Sequence, residues 1–289
     1  MPSLKKVAWL PFFIILLALS PEIGCFALAM LVARIIHRYS VRNLRLVNLT
    51  ILFSSLIIIA GFSDAEHVVT AAGAAYGIWL FFSRVYYQKE GNNLEKELLL
   101  ASVPLTIFQF GIIFLNPDYS QPLVEAFQLQ MQRQPAWMAS WQKEPAMQEQ
   151  AMAFLEKVAD VMPALLTLTF IAAILVAYRF AYPHRRFSLR YFSLQPSFVY
   201  VVFAAVALMF TNSLFAWNLA VLAAGWIFIQ GLAILFFWGI RQMSPLMMGV
   251  FLGFGFLLGI PFLAIVIMIG LLDFWLDFRK IRTRKENSQ

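Results

Sequence analysis

Long apolar stretches separated by short clusters of charge are the dominant pattern of this chain. Stretches without Asp, Glu, Lys or Arg run over residues 7–21, 23–33, 46–63, 67–83, 98–117, 161–178, 191–240 and 242–272. An ionised side chain at the centre of a membrane span costs about 2.5 to 3.5 kcal/mol on insertion scales, so charge-free stretches of this length are the natural units of segmentation. At 1.5 Å per residue, residues 191–240 are too long for one helix and must fold back, with Asn212-Ser213 as the turn. Residues 242–272 would run about 46 Å as one rod by the same rise. Gly259-Ile260-Pro261 offers a break there, so a kink or two half-helices stand beside a single tilted rod. The first two stretches are short and meet at Ser20-Pro21-Glu22, which fits a tight helical hairpin; no small-x-small cleavage site follows the opening Lys5-Lys6. The pattern predicts an all-α, polytopic transmembrane bundle of about eight or nine apolar segments, each spanning a core about 30 Å thick.

Between the apolar stretches, residues 116–160 form the one sizeable polar piece. They are rich in Gln, carry Pro122, Pro135 and Pro145, and space Leu123, Phe127 and Met131 at helical intervals, then Met147, Met152, Phe154 and Leu155. Short amphipathic helices on a membrane surface are expected there, with Trp137 and Trp141 at headgroup level. The domain reading is one integral membrane unit over 1–289, with 116–160 as an extracytoplasmic insertion and 279–289 as a basic tail.

Composition agrees with this picture. Of 289 residues 61% are hydrophobic and 13% charged, against about 25% charged in an average soluble domain, which excludes an ordinary soluble enzyme. The formal charge of +7 is concentrated beside the apolar stretches: Arg34, Arg38, Arg42 and Arg45; Arg84, Lys89 and Lys96; Arg179, Arg185, Arg186 and Arg190. Retention of Lys and Arg on the cytoplasmic side explains this placement better than a nucleic-acid surface, and no nucleic-acid partner is expected. It puts the N-terminus and these loops inside and Asp64-Ala65-Glu66, the Asn212 turn and 116–160 outside. A broken final stretch also puts the tail Arg279, Lys280, Arg282, Arg284 and Lys285 in the cytoplasm, the side favoured here. A multi-pass membrane location is expected, and the bilayer itself is the first partner.

No catalytic, cofactor or metal signature accompanies the pattern. His37, His67 and His184 have no metal spacing, Cys25 is the only cysteine, and no Walker loop, HExxH or GxSxG occurs, so the protein is read as a non-enzyme without cofactors. Polar residues inside the apolar stretches therefore carry more weight. Gln109, Asn212, Asn218 and Gln230 are candidates for interhelical hydrogen bonds or, jointly, for lining a cavity. Thr167, Thr169 and Thr211 are weaker ones. Gly249, Gly253, Gly255 and Gly259, in overlapping GxxxG spacings, are candidates for close helix packing, as are Gly73 with Gly77 and Ala29 with Ala33. Asp273 and Asp277 share a helix face and, with Arg279, form a candidate ionic latch. Because Arg279 lies six residues past Asp273 on a straight helix, partners from the basic loops such as Arg185, Arg186 or Arg241 are expected as readily.

The closing run Gly270-Leu271-Leu272-Asp273-Phe274-Trp275-Leu276-Asp277-Phe278-Arg279-Lys280 resembles the end of the YybS-like family, bacterial multi-pass membrane proteins. Phe228-Ile229-Gln230-Gly231-Leu232-Ala233 and Arg186-Phe187-Ser188-Leu189-Arg190 resemble other parts of it. The resemblance implies a fold similar to the substrate-binding S components of energy-coupling-factor transporters, although this chain has eight or more apolar segments where those have six. Two functions follow as expectations. One is binding or moving a small solute of unknown identity. The other is a non-transporting scaffold that docks a membrane or cytoplasmic protein partner through its basic loops.

Overall fold

A computed structural model describes residues 27–32, 65–87, 94–115, 118–132, 145–181, 192–211, 213–242 and 257–279, with residues 247, 250, 253 and 255. The helices are α1 (Ala65–Tyr87), α2 (Leu94–Leu115), α3 (Gln121–Gln132), α4 (Pro145–Asp160), α5 (Met162–Ala181), α6 (Phe198–Met209), α7 (Leu214–Gln242) and α8 (Ile260–Leu276). The chain is all-α: no strand occurs among the described residues. The N-terminal hairpin and the stretch 46–63 expected above lie outside them, apart from a helical stretch at 27–32 whose Leu28, Ala29 and Val32 are buried in the core.

Small residues decide how the helices approach. A Cβ on Gly77 of α1 would lie 2.3 Å from the carbonyl oxygen of Ala101 on α2, and one on Gly73 would lie 2.7 Å from the Phe108 ring. With Arg84 pairing to Glu97 at one end and Gln109 to Thr70 at the other, these contacts fix an antiparallel α1/α2 hairpin. Gly231 of α7 and Gly270 of α8 do the same for a second antiparallel pair: Cβ atoms there would come within 2.0 Å of the Val266 oxygen and 2.2 Å of the Ile227 oxygen. Any larger residue would force these backbones apart and remove van der Waals contact along the whole crossing. α5 runs parallel to α7, with Ala164 beside Asn218 and Leu168 against Gly225. Phe81, Phe82, Phe170 and Phe192 are fully buried in the resulting core, and Phe81 meets Phe82 and Tyr178 edge-on.

The glycine stripe of the last apolar stretch behaves differently from the expectation. Gly249 lies outside the described residues, Gly253 faces open space, and Gly255 packs on the Phe262 ring. Gly253 and Gly255 are two positions apart, about 200° around a helix, so they cannot share one packing face. Gly259 instead caps the start of α8: its φ of 64° suits glycine, and Pro261 follows in the first turn, where its missing N–H needs no helical partner. The final stretch is therefore broken, not one rod.

The fold-back of 191–240 also departs from two full spans. Residues 192–195 are not helical, and α6 has only 12 residues, about 18 Å. Among the described residues one helix is long and apolar enough to cross a membrane, over Leu214–Gly239. Glu149–Asp160 and Met162–Tyr178 reach that standard only as a pair, bent by 62°. The eight or nine spans expected from charge-free stretches are not reached here. Residues 116–160 do contain two helices, α3 and α4, each with a proline in its first turn. Trp137 and Trp141 lie outside the described residues.

Candidate functional site

Two groups of buried polar side chains lie along α7, around Asn218 and around Gln230, and at both they complete backbone that no helix can satisfy. Near the start of α7, Asn218 is fully buried. Its Oδ1 accepts from the N–H of Ala164 at 3.0 Å, and its Nδ2 donates to the carbonyls of Asp160 at 2.7 Å and Leu214 at 2.9 Å. Ala164 belongs to the first turn of α5 and Asp160 to the last of α4, where N–H and C=O groups lack partners within their own helix. One side chain from a third helix thus splices the bend between α4 and α5. Tyr119 assists: its hydroxyl donates to the carbonyls of Ala159, at 3.2 Å, and Asp160. Burial pushes the Tyr119 phenol up to about 12, with the negative charge of Asp160 acting the same way and the Asn218 bond opposing. Lys157 lies 5.4 Å from the Trp217 ring centroid and adds a cation–π contact between α4 and α7.

The second cluster surrounds the extended residues 192–194, which are buried although they lack helical hydrogen bonds. Gln230 Oε1 accepts from the Leu194 N–H at 3.0 Å, while its Nε2 donates to the Gly270 carbonyl at 3.2 Å and to Asp273 Oδ2 at 3.1 Å. Arg279 Nη1 donates to the Phe192 carbonyl at 2.7 Å, and Nη2 to Asp273 Oδ2 at 2.8 Å. Both members of this ion pair are at least 99% removed from solvent at the side chain. A buried charge is tolerated only when paired and hydrogen-bonded, and here the carboxylate accepts from Gln230, Arg279 and the Phe278 N–H.

Of the partners the sequence offered to Asp273, Arg279 is the one that meets it, although a straight helix would carry it off that face. α8 stops at Leu276, and Asp277 adopts a left-handed conformation, φ 37° and ψ 57°, with its N–H donating to the Asp273 carbonyl. The reversal carries Arg279 back over the helix end to Asp273. Asp277 contributes the turn. Arg185 and Arg186 lie outside the described residues, as does Asn212.

Gln109, Asn218 and Gln230 do not converge on one cavity. Asn218 and Gln230 are about 18 Å apart along α7, and Gln109 donates to Thr70 Oγ1 at 2.8 Å across the α1/α2 hairpin. Thr167 and Thr169 turn their hydroxyls to carbonyls of their own helix. A cleft of about 210 Å³ does exist elsewhere, between α2, α6 and α7, with Leu99, Val103, Ile107, Phe198, Leu219 and Trp226 in its wall. Its residues gave no signal in the sequence, being apolar positions among many. No grouping of three or more His, Cys, Asp or Glu suited to a metal occurs among the described residues.

No family model, curated protein or solved structure matches the chain. The clusters must be read on their own chemistry. What they do is satisfy backbone at a helix bend, at an extended segment and at a helix end, chiefly through side chains distant in sequence.

Proposed function

We propose that the chain is a multi-pass bacterial inner-membrane protein of YybS-like kind whose helical bundle is a non-catalytic scaffold, docking a membrane or cytoplasmic protein through its basic loops. One observation carries the choice of scaffold over solute carrier: Gln109, Asn218, Gln230 and Asp273 spend their polar atoms on neighbouring elements, instead of presenting them to a shared cavity. The membrane setting draws support from large apolar side chains on the outside of α2, α6 and α8. Phe114 is 85% exposed, Phe210 beyond the end of α6 is 89% exposed, and Ile260 is 80% exposed. In water such surface would drive association; in hydrocarbon it is the expected lipid face. The eight or nine apolar segments of the sequence belong to this proposal, as do a cytoplasmic N-terminus and a cytoplasmic tail. The bond from Arg279 to the Phe192 carbonyl supports the tail and the basic loop 179–190 lying on the same side.

Cysteine-accessibility labelling in a Cys25→Ala background tests the orientation. Ser140→Cys should react from outside and Phe187→Cys from the cytoplasm, and reversed labelling would overturn it. A thermal-shift screen of polar metabolites separates scaffold from carrier: the scaffold shows no ligand-dependent stabilisation. A compound whose stabilising effect is lost in Gln230→Leu would instead establish the carrier, because a ligand stabilises by RT ln(1 + [L]/Kd).

A further inference from the structure

The cleft between α2, α6 and α7 has an end-to-end polarity that the bundle does not use. Phe110 near the end of α2 meets Phe215 at the start of α7, ring centroids 4.9 Å apart, so the two helices run antiparallel, with Leu99 toward Trp226 and Ile107 toward Leu219. The wall is apolar throughout. Its two hydroxyls are already committed, Ser102 Oγ donating to the Leu99 carbonyl at 2.8 Å and Thr106 Oγ1 to the Ser102 carbonyl at 2.8 Å. A polar solute entering here would give up its hydrogen bonds to water for little return. At about 210 Å³ the cleft is also smaller than the 300 to 1,000 Å³ typical of sites for drug-sized ligands, yet larger than a cavity of about 150 Å³ that takes benzene. Its rim is exposed and apolar at Val103 and Ile107, so it opens sideways onto the surface that faces lipid in the membrane reading.

One end is different. Lys96, Leu99 and Val103 follow the i, i+3, i+7 spacing of a single helix face, which sets the exposed Lys96 just beyond the Leu99 end of the cleft. Glu95 and Glu97, its neighbours in sequence, are buried, and Glu97 is held by Arg84, so the cation on this face is not neutralised by that carboxylate. Across the cleft Gln195 and Ser197, both exposed, precede Phe198. A narrow apolar slot with a cation at one mouth has the chemistry of an amphiphile with an anionic head.

We propose that this cleft holds the head-proximal part of one acyl chain of an anionic phospholipid, with the head group at Lys96 and the rest of the chain leaving sideways over the apolar rim. The proposal rests on the membrane reading above. Lys96 supplies a contact to the anionic head worth about fivefold in affinity, as for a basic residue at an anionic lipid surface. The slot supplies the chain contact, independent of head group.

The test uses the full chain purified in detergent, with dioleoyl phosphatidylglycerol, dioleoyl phosphatidylcholine and glycerol phosphate as probes, read by native mass spectrometry and lipid-dependent stabilisation. Wild type should hold one phosphatidylglycerol about fivefold more tightly than phosphatidylcholine, and glycerol phosphate should have no effect. Lys96→Gln should bring the two lipids to equal affinity without weakening phosphatidylcholine. Ala223→Phe, which fills the slot, should remove both; if that variant does not fold, Val103→Phe on the exposed rim makes the same test. Equal affinities in wild type, no change in Lys96→Gln, or retention of lipid by the filled variants would each overturn the site, and stabilisation by glycerol phosphate alone would show a free-anion site instead. Carbonate extraction of the membranes separates the two levels. Release of the chain into the soluble fraction refutes the membrane reading and this site with it, whereas a membrane-retained chain without lipid discrimination refutes the site alone.

Discussion

Asn218 and Gln230 are two amides on one face-to-core helix, both fully buried, yet they do different work. Asn218 joins neutral groups only: a helix-end carbonyl, a helix-start N–H and a carbonyl of its own turn. Gln230 joins an extended backbone segment to an ion pair. The contrast shows what the charges at the C-terminal end are for. A helix bend leaves orphan groups near a helix end, where neutral side chains suffice, whereas the segment 192–194 exposes a carbonyl and an N–H in the middle of a packed interior. Arg279 reaches the first and Gln230 the second, and Asp273 makes the buried cation tolerable.

Breaking the charged cluster should therefore cost most. Asp273→Asn removes the carboxylate charge from a fully buried ion pair and should lower the unfolding free energy by about 3 to 5 kcal/mol, measured by denaturant titration in micelles. Combined with Arg279→Gln the loss should be clearly less than the sum of the two single losses, since the pair acts as a unit. Additive losses would mean that the carboxylate and guanidinium are energetically independent, and the contrast with Asn218 would collapse. Gln230→Leu removes its bonds to the Leu194 N–H, the Gly270 carbonyl and Asp273 and should cost about 1 to 3 kcal/mol by the same measurement.

Asn218→Leu should cost less, about 1 to 2 kcal/mol, because Tyr119 still donates to the Asp160 carbonyl and only the Ala164 N–H loses its partner outright. If Asn218→Leu proves more damaging than Asp273→Asn, the neutral splice, not the ion pair, holds the bundle. The Tyr119 phenol sharpens the same point through pH. Its pKa is about 12 in the folded chain against about 10 unfolded, so its contribution is complete below pH 10. As pH rises from 10 to 12 the unfolded chain loses the proton first, and stability should fall by up to about 2 kcal/mol. Tyr119→Phe should abolish that decline. The smallest effect belongs to Gln109→Leu, about 0.6 kcal/mol, typical of a single hydrogen bond between helices in a membrane; a much larger loss would give the α1/α2 hairpin an importance its single amide contact does not suggest.

Asn218 and Gln230 were legible in the sequence as polar letters in apolar stretches, Asp273 and Arg279 as a candidate latch, and the breaks at Gly259-Ile260-Pro261 and at Asn212-Ser213 as turns; Tyr119, one more polar residue in a polar segment, was not. Nor were the partners of any of them. Apolar patterning cannot tell the extended Phe192-Ser193-Leu194 from helix, and only Pro196, which disfavours helix at the residue before it, hints at the difference. The return of Arg279 to Asp273 depends on a left-handed residue, and at that position stands Asp277, not the glycine that would announce such a turn. Asp is enriched in that conformation, so the signal was present but weak. The two glycines that decide the α7/α8 crossing, Gly231 and Gly270, sit in different stretches with no spacing motif between them, and only the fold brings them together.

The order in which the chain is made gives the C-terminal reversal a temporal meaning. The Phe192 carbonyl and the guanidinium that completes it are 87 residues apart, and Gln230 precedes Asp273 by 43. At about 5 to 20 residues per second, the carbonyl is synthesised roughly 4 to 17 s before its partner exists. During that interval the nascent bundle carries an unfinished seam at 192–194, and α8 closes it only when the last polar residue has emerged. Maturation of this protein is thereby tied to synthesis beyond residue 279, and a ribosome stalled after α7 would leave an assembled bundle with its seam still open.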